Sequence, residues 1–232
     1  MRTVPRLIQL KSISMSLGLN LEFILIDGLS CDGSYEYASA QNIFDIHLTQ
    51  RDTGIYSAMN KGIHLATGYK VIFNNSGDIL RLDFLDFLLQ SLQLPPNHIC
   101  HGSVCITNAS FRSLIHPRIL SFSLLTMPSF HPSTLYPTVL LKSFLFDESY
   151  RIAADFKQLT SIKLARVPFS YLPFVVSEFD GSGCSSNFFR ALGESRQALV
   201  ELGYNRVVVW PNFIISSAIA FLSRFINSFI AK

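Results

Sequence analysis

The sequence predicts an α/β fold, a mixed sheet flanked by helices, and two observations lead to this prediction. Short apolar runs alternate with stretches of helical periodicity through the first third of the chain. Two of the runs, residues 23–26 and 71–73, lead into polar, glycine-containing segments, "DGLSCDGS" and "NNSGD". In open α/β sheets, ligands bind at the carboxyl ends of strands. Asp27 and Asp78, which follow these two strands, are therefore expected to line a ligand crevice.

The predicted elements follow one another in β-α-β order. A helix over residues 4–16 precedes a strand over 22–27, and a helix over 33–42 leads to a short apolar stretch over 43–48. The next helix is indicated by apolar residues on one face, at Ile55, Ala58, Met59, Gly62, Ile63 and Ala66. Further helices are predicted near residues 82–92 and from Ala154 onward, with an irregular, strand-like segment between them.

Composition limits the partners of the chain. Its 232 residues suffice for one sizeable domain, and 49% of them are hydrophobic, which is rich for a protein with 15% charged residues. The net charge of +3 comes from residues 190–232, where five Lys and Arg side chains outnumber two Glu. This excess is too small for a nucleic-acid partner, but it suits a membrane surface with anionic head groups.

The cysteines and the N-terminal segment indicate the compartment. Cys31, Cys100, Cys105 and Cys184 form no CxxC pair and show no metal-like spacing with histidine, so we expect free thiols in a reducing compartment. The first residues lack the long apolar core and the small-residue cleavage site of a secretory signal. The body of the protein is therefore predicted to be cytoplasmic.

Residues 212–231 form the clearest amphipathic segment. Nine aliphatic or aromatic side chains fill one broad face, while serines, Arg224 and Asn227 fill the other. About 20 residues would be long enough to span a bilayer, but the regular polar stripe favours a helix that lies in the membrane interface. Packing against the domain or against a partner helix is the other interpretation. We predict a basic, amphipathic, membrane-associating tail over residues 190–232.

Five blocks, in order, resemble the family 2 glycosyltransferases, in particular the bacterial cell-surface polysaccharide branch of colanic-acid or O-antigen type. The blocks are "IDGLSCDGS", "RDTGIYSAMNKGIHLATG", "IFNNSGD", "MPSFHPSTLY" and "FDESYRIAADF". The resemblance implies a GT-A fold over residues 1–189, a nucleotide-sugar-binding mixed sheet. It further implies an inverting transfer of a sugar to a lipid-linked polysaccharide intermediate, usually with a divalent metal, at the inner face of the cell membrane.

The resemblance assigns the two chemical roles to carboxylates. Asp78 matches the metal-binding position, for Mg²⁺ or Mn²⁺ on the diphosphate, although Ser76 stands where the family usually has the first Asp of Asp-x-Asp. Asp78 could instead be only a turn residue. Asp155 matches the general base, which takes the proton of the acceptor hydroxyl. Its other interpretation is a charge that stabilises a helix N-terminus.

The remaining matched residues are expected around the donor. Asp27 and Gly28 are predicted to contact the nucleoside, and Asp32 to organise the turn above it or only to cap a helix. Asp52, Asn60 and Lys61 belong to the block that lines the donor pocket in similar enzymes, although Asp52 could cap a helix and Lys61 could be solvated. His131 matches a phosphate or acceptor contact, but Pro132 replaces the usual Gln, and a structural histidine is the alternative.

The chain departs from the family at its start. Family members open with a central apolar strand, whereas this chain begins at the following helix, so neighbouring strand edges would be left unpaired. The resemblance therefore leaves two functions open: an active transferase, favoured by Asp27, Asp78 and Asp155, and a non-catalytic relative that binds a partner or a membrane. No GxGxxG follows any predicted strand, which excludes a dinucleotide-binding dehydrogenase.

Overall fold

The computed structural model describes residues 3–107, 112–117, 127–180 and 188–215. The helices are α1 (Thr3–Ser16), α2 (Ser34–Ser39), α3 (Ile55–Leu65), α4 (Asp83–Ser91), α5 (Thr138–Ser143), α6 (Ala154–Leu164), α7 (Phe188–Glu201) and α8 (206–215). The strands are β1 (Ile24–Asp27), β2 (Ile46–Thr49), β3 (Lys70–Val71), β4 (Ile79–Leu80), β5 (Ile99–Thr107), β6 (Arg112–Ile115), β7 (Thr134–Pro137) and β8 (Phe169–Asp180). The predicted α/β class, with helices flanking a mixed sheet, is confirmed.

The strands form two separate sheets. β1 and β2 pair in parallel, from Ile24 opposite Ile46 to Asp27 opposite Thr49. The second sheet has the order β3-β7-β5-β8-β4, with β6 added to β5. At its centre β5 and β8 run in parallel, with a register irregularity around Ser103. A Cβ at Gly102 would lie 2.5 Å from Val176 Cγ2, so β8 packs too closely there for a larger residue.

A gap separates the two sheets. Among the described strands β1 pairs only with β2, and β3 pairs only with β7. The Glu22 carboxylate joins the starts of β1 and β3, since it accepts hydrogen bonds from the amides of Thr67 (2.9 Å) and Gly68 (3.3 Å). The described residues supply no strand for the intervening edges. The strand predicted over 71–73 is only Lys70–Val71, which pairs with Pro137 and Tyr136 of β7.

Two apolar clusters hold the helices to the sheet. One unites α3, β7 and α6 around Ile63, Tyr136, Leu159 and Ile162, all fully buried. The other packs α1 and α4 on the opposite side, with Leu10 and Phe87 fully buried and Leu80, Leu135 and Val176 beneath them. Burial of each such side chain contributes about 1.5–3 kcal/mol. The helical periodicity around Met59 and Ile63 is thus explained by the core that α3 covers.

Helices α7 and α8 pack on the same body. Ala198, Leu199 and Val209 are buried in the cluster that includes α6. Within the described residues no helix is both long and apolar enough to cross a bilayer. Only residues 212–215 of the predicted amphipathic segment lie in α8, and its remainder lies outside the described residues. Cys31 and Cys100 are free thiols, as predicted, and Cys184 also lies outside the described part.

Candidate active site

The ends of β1 and β2 bring together three of the residues predicted to bind the donor. Asp27 is buried, and its carboxylate accepts hydrogen bonds from the amides of Leu29 (3.0 Å) and Ser30 (3.1 Å). Asp52 lies directly against Gly28, because a Cβ at position 28 would come within 2.5 Å of Asp52 Oδ2. The parallel register of β1 and β2 therefore places Asp27, Gly28 and Asp52 at one edge.

Asp32 occupies a turn. Its side chain is exposed and accepts the amide of Ser34 at 3.0 Å, just before α2 begins. The hydrogen bonds from Ser34 lower the pKa of the Asp32 carboxyl. Gly33, with φ of 79°, makes the left-handed turn that this connection requires. Asp32 therefore closes the turn before α2, whose N-cap is Gly33 and has no side-chain hydrogen bond.

Asn60 and Lys61 hold neighbouring segments against α3. The Asn60 amide bonds both backbone groups of Phe146, at 2.9 Å each, and donates to Glu148 at 2.9 Å. Lys61 donates to the carbonyls of Gln50 (3.3 Å) and Arg51 (2.9 Å), at the end of β2. Asn60 therefore positions the segment that leads to α6, and Lys61 positions the loop that carries Asp52.

Asp78 ends the segment that runs from β3 across the gap. It is 3% exposed, and its backbone carbonyl accepts the Thr3 hydroxyl at 3.0 Å, which ties α1 to this loop. Asn74, four residues earlier, has a buried Oδ1 with no hydrogen-bond partner among the described residues. The described residues contain no cluster of three or more His, Cys, Asp or Glu side chains around one point. A carboxylate and an amide oxygen nevertheless fit a hard cation that takes its other ligands from phosphate and water.

His131 is buried in an aromatic cluster. Its Nδ1 lies 2.9 Å from the Tyr136 hydroxyl, and its ring stacks on Tyr136 with centroids 5.4 Å apart. Burial lowers the pKa of His131 to about 3, so the ring is neutral. Nε2 has no partner in the described part of the chain. A neutral imidazole held in this way keeps one ring nitrogen available to a ligand.

Asp155 lies in the first turn of α6, beside Tyr56 of α3. Its Oδ1 accepts the amide of Phe156 at 2.8 Å and lies 3.2 Å from the Tyr56 hydroxyl, which also donates to the carbonyl of Ile152. Burial raises the pKa of Asp155 to about 6, and the two hydrogen bonds limit that rise. Burial and the charge of Asp155 also raise the pKa of Tyr56, so its phenol stays protonated. A carboxyl tuned in this way can accept a proton near neutral pH.

The aromatic cluster connects Asp155 with the β3 segment. Tyr56 packs on Phe146 with ring centroids 5.3 Å apart, and Phe146 packs on His131 at 5.1 Å. Phe73, which immediately precedes Asn74, lies 5.6 Å from His131. Asp155, His131 and the segment that ends at Asp78 thus share one packed wall, although they come from three distant parts of the sequence.

A family model described as glycosyl transferase family 2 matches residues 3–145, more than half of the chain. This chain belongs to glycosyl transferase family 2. The described GT-A-like arrangement agrees with solved glycosyltransferase structures, which at this level of identity establish the fold alone. They include mannosyl-3-phosphoglycerate synthase from Rubrobacter xylanophilus, with 13% identity, a TM-score of 0.62, and coverage of 87% of this chain and 70% of that one.

Two further structures are similar in fold to this family 2 chain. S. aureus TarS residues 1–349, in complex with UDP-GlcNAc, gives a TM-score of 0.58 at 16% identity, over 83% of this chain and 61% of that one. The mannosyltransferase PcManGT of Pyrobaculum calidifontis, in complex with GDP-Man and Mn²⁺, gives a TM-score of 0.57 at 18% identity. That match covers 90% of this chain and 64% of the PcManGT chain.

A PGL/p-HBAD biosynthesis glycosyltransferase of Mycobacterium bovis is 32% identical over 109 residues, and Mycobacterium tuberculosis has a relative with the same match. The match covers 44% of this chain and 43% of the relative, so the chain spans less than half the length of the curated relatives that it matches.

Two residues of this family 2 site escaped the sequence interpretation. Tyr56 stands inside the "GIYSAMNKG" block, and its spacing from Met59 and Ile63, with which it is buried on one face of α3, was the signal that could have identified it. The predicted apolar face began instead at Ile55, which is 46% exposed. Glu194, which contacts the start of α6, lies some 40 residues after Asp155 on another helix, and no local pattern points to it. Only the packing of α7 on α6 reveals that contact.

Proposed function

We propose that the chain is the catalytic part of an inverting glycosyltransferase that moves a sugar from a nucleotide-sugar donor to a lipid-linked surface-polysaccharide intermediate. The observation that carries the proposal is Asp155, a carboxyl with a pKa of about 6 in the first turn of α6, held beside Tyr56. The aromatic cluster runs from Tyr56, beside Asp155, to Phe73, five residues before Asp78, and this supports a single site for base and leaving group.

In this mechanism the acceptor hydroxyl oxygen attacks the anomeric carbon of the donor sugar. Asp155 takes the hydroxyl proton as the carbon–oxygen bond forms, and the bond to the diphosphate oxygen breaks with its electron pair on the diphosphate. Attack from the face opposite the leaving group inverts the anomeric carbon. Tyr56 orients the carboxylate through its 3.2 Å contact with Oδ1.

Asp78, and Asn74 of the same segment through its buried Oδ1, would hold a divalent cation, Mg²⁺ or Mn²⁺. When bound, such an ion neutralises the charge that develops on the departing diphosphate. The Mn²⁺ in the PcManGT complex supports divalent-metal use. His131 Nε2, buried and without a partner in the described residues, is assigned to a phosphate or acceptor oxygen.

Asp27, Gly28 and Asp52 are assigned to the nucleoside half of the donor. The UDP-GlcNAc of TarS and the GDP-Man of PcManGT support a nucleotide-sugar donor. Asp32, Asn60 and Lys61 then act by holding the loops around it, as their hydrogen bonds indicate. An acidic contact to a ribose hydroxyl is the chemistry expected of Asp27.

A direct test is calorimetric titration of the full chain with UDP-, GDP- and dTDP-sugars, each with Mn²⁺, Mg²⁺ or EDTA. We expect one nucleotide class to bind with metal and to bind much less in EDTA. The rival function, a non-catalytic glycosyltransferase-like domain, is favoured by the gap between β1 and β3. Failure of folded protein to bind every donor would support that rival.

Helix α8 and the predicted tail support the proposed acceptor and location. Val207, Trp210 and Ile214, at i, i+3 and i+7, are 77%, 46% and 59% exposed, and Arg196 lies over the Trp210 ring at 4.6 Å. An apolar stripe beside a cation suits an interface with anionic lipid. This supports a peripheral protein at the cytoplasmic face of the cell membrane, where a lipid-linked acceptor would meet the site.

Vesicle co-sedimentation tests this membrane contact. The wild type is expected to pellet with phosphatidylglycerol-containing vesicles. The double variant Trp210→Ser, Ile214→Ser should bind at least about 100-fold more weakly, because each of the two buried apolar side chains contributes about 1.5–3 kcal/mol. Val139→Ser, which removes another highly exposed apolar side chain on α5, is the control. Equal pelleting of all three proteins would argue against a membrane role for α8.

A further inference from the structure

Glu194 of α7 makes an unusual contact with the start of α6. Its Oε2 accepts three consecutive backbone amides, those of Arg151 (3.1 Å), Ile152 (2.8 Å) and Ala153 (3.0 Å). Its Oε1 accepts Arg190 Nε at 3.2 Å. The Glu194 side chain is only 16% exposed, so these bonds are partly shielded from water.

The contact lies immediately before α6. The first amides of a helix have no partner within the helix and are usually satisfied by a side chain from its own N-cap. The N-cap of α6 is Ala153, which offers no side-chain hydrogen bond, and the Asp155 carboxylate itself accepts the amide of Phe156. Glu194, from another helix, binds the amides of the N-cap residue and of the two residues before it, which immediately precede Ala154 and Asp155. The position of the first turn of α6 therefore depends on α7.

The contact also changes the charge around Asp155. A helix N-terminus favours an ionised carboxylate in its first turn. Burial would raise the pKa of Glu194, but the Ile152 and Ala153 amides and Arg190 bring it below its ordinary value, so Glu194 is an anion at neutral pH. Its negative charge adds to burial in raising the pKa of Asp155. Glu194 thus offsets the stabilisation that the end of α6 would give to the Asp155 charge.

The other groups around Asp155 do not replace this effect. Tyr56 on α3 bonds its Oδ1, and the amide of Phe156 donates to the same oxygen; both favour the carboxylate. Tyr136 on β7 senses the charge of Asp155 but is protonated. The Arg151 guanidinium donates to the carbonyl of Thr53 at 3.1 Å, away from the carboxylate. Glu194 is the anionic group that acts on Asp155 in the described surroundings.

We propose that Glu194 is a positioning residue for the base: its carboxylate clamps the first turn of α6 and, by opposing the charge of Asp155, keeps that carboxylate basic enough to accept the acceptor proton. The proposal rests on the proposed function of Asp155. It makes α7, which the sequence alone assigns to a separate tail, part of the support of the active site.

The decisive variant is Glu194→Gln, which keeps the size and an acceptor oxygen but removes the charge. A ¹³C-carboxyl NMR titration of the full chain, with the Asp155 signal assigned by its loss in Asp155→Asn, should show the Asp155 midpoint lowered, because the anion that opposes its charge is gone. The acidic limb of kcat/KM against pH should move by the same amount, and the plateau should fall several-fold because a weaker base accepts the proton less well.

Glu201→Gln is the matched control. Glu201 lies on the same helix and accepts hydrogen bonds from Tyr150 (2.7 Å) and from Lys157 (2.5 Å), the fourth residue of α6, whereas the amides of residues 151–153 bond Glu194. It should leave the Asp155 midpoint unchanged. Glu194→Ala also removes the hydrogen bonds to the amides before α6 and should lower the transfer rate at every pH. If this variant fails to fold, the Glu194→Gln titration still tests the proposal.

An unchanged Asp155 midpoint in Glu194→Gln, with activity equal to that of Glu201→Gln, would overturn the proposal. The two proposals fail differently. Full activity of Asp155→Asn would remove the proposed base, whereas the NMR midpoint would still report whether Glu194 acts on Asp155.

Discussion

Replacement of Asp155 by asparagine is expected to lower the rate of sugar transfer by roughly 10²–10⁴-fold, because the amide cannot accept the proton of the acceptor hydroxyl. Donor binding should be nearly unchanged, since Asp155 faces Tyr56 rather than the β1 and β2 ends. The measurement is single-turnover transfer with saturating donor, together with calorimetric donor affinity. Asp86→Asn, on the exposed face of α4, is the control for loss of a carboxylate.

The raised pKa of Asp155 predicts that the rate of sugar transfer depends on pH. The base must be ionised, so the wild-type rate should rise as pH increases through about 6 and then level off.

The stability of the folded protein should change with pH in the opposite direction to the rate. A carboxyl whose folded pKa is raised from 3.8 to about 6 contributes stability below 3.8 that is lost as pH rises through 6. Asp155→Asn should therefore unfold at a higher temperature than the wild type at pH 8, but not at pH 4. Wild-type transfer rates in the variant would contradict the base assignment.

The second large effect is expected at Asp78. Asp78→Asn keeps the shape of a residue that is 3% exposed, and the backbone carbonyl that accepts the Thr3 hydroxyl is unaffected. It removes the proposed anionic ligand of the metal. Loss of groups that merely support a metal ligand costs about 10–100-fold in affinity, so loss of the ligand itself should weaken metal-dependent donor binding by about 100-fold or more.

Calorimetry with and without EDTA separates the metal effect from general damage. The variant should bind donor equally weakly in Mn²⁺ and in EDTA, whereas the wild type and Asp86→Asn should bind more tightly in Mn²⁺. A variant that retains the full response to Mn²⁺ would return Asp78 to its other interpretation, a turn residue in "NSGD".

Much of the local structure could be predicted from the sequence. Apolar periodicity located α3 to within a residue or two, and the Asp-Gly after β1 marked a strand end. Residues adjacent in one motif, such as Asp27 and Gly28, needed no tertiary information. The side chains of Asn60 and Lys61 were harder to interpret. Whether a polar group on a helix meets a ligand or a neighbouring carbonyl depends on the loop opposite it.

The sequence by itself determined the element order, the polar strand ends and the five family motifs, because these depend on spacing along the chain. The tertiary structure alone decided three further points: the division into two sheets, the short β3, and the clamp of Glu194 on α6. Each depends on whether a strand edge or a backbone amide without a local hydrogen-bond partner is paired by a distant part of the chain.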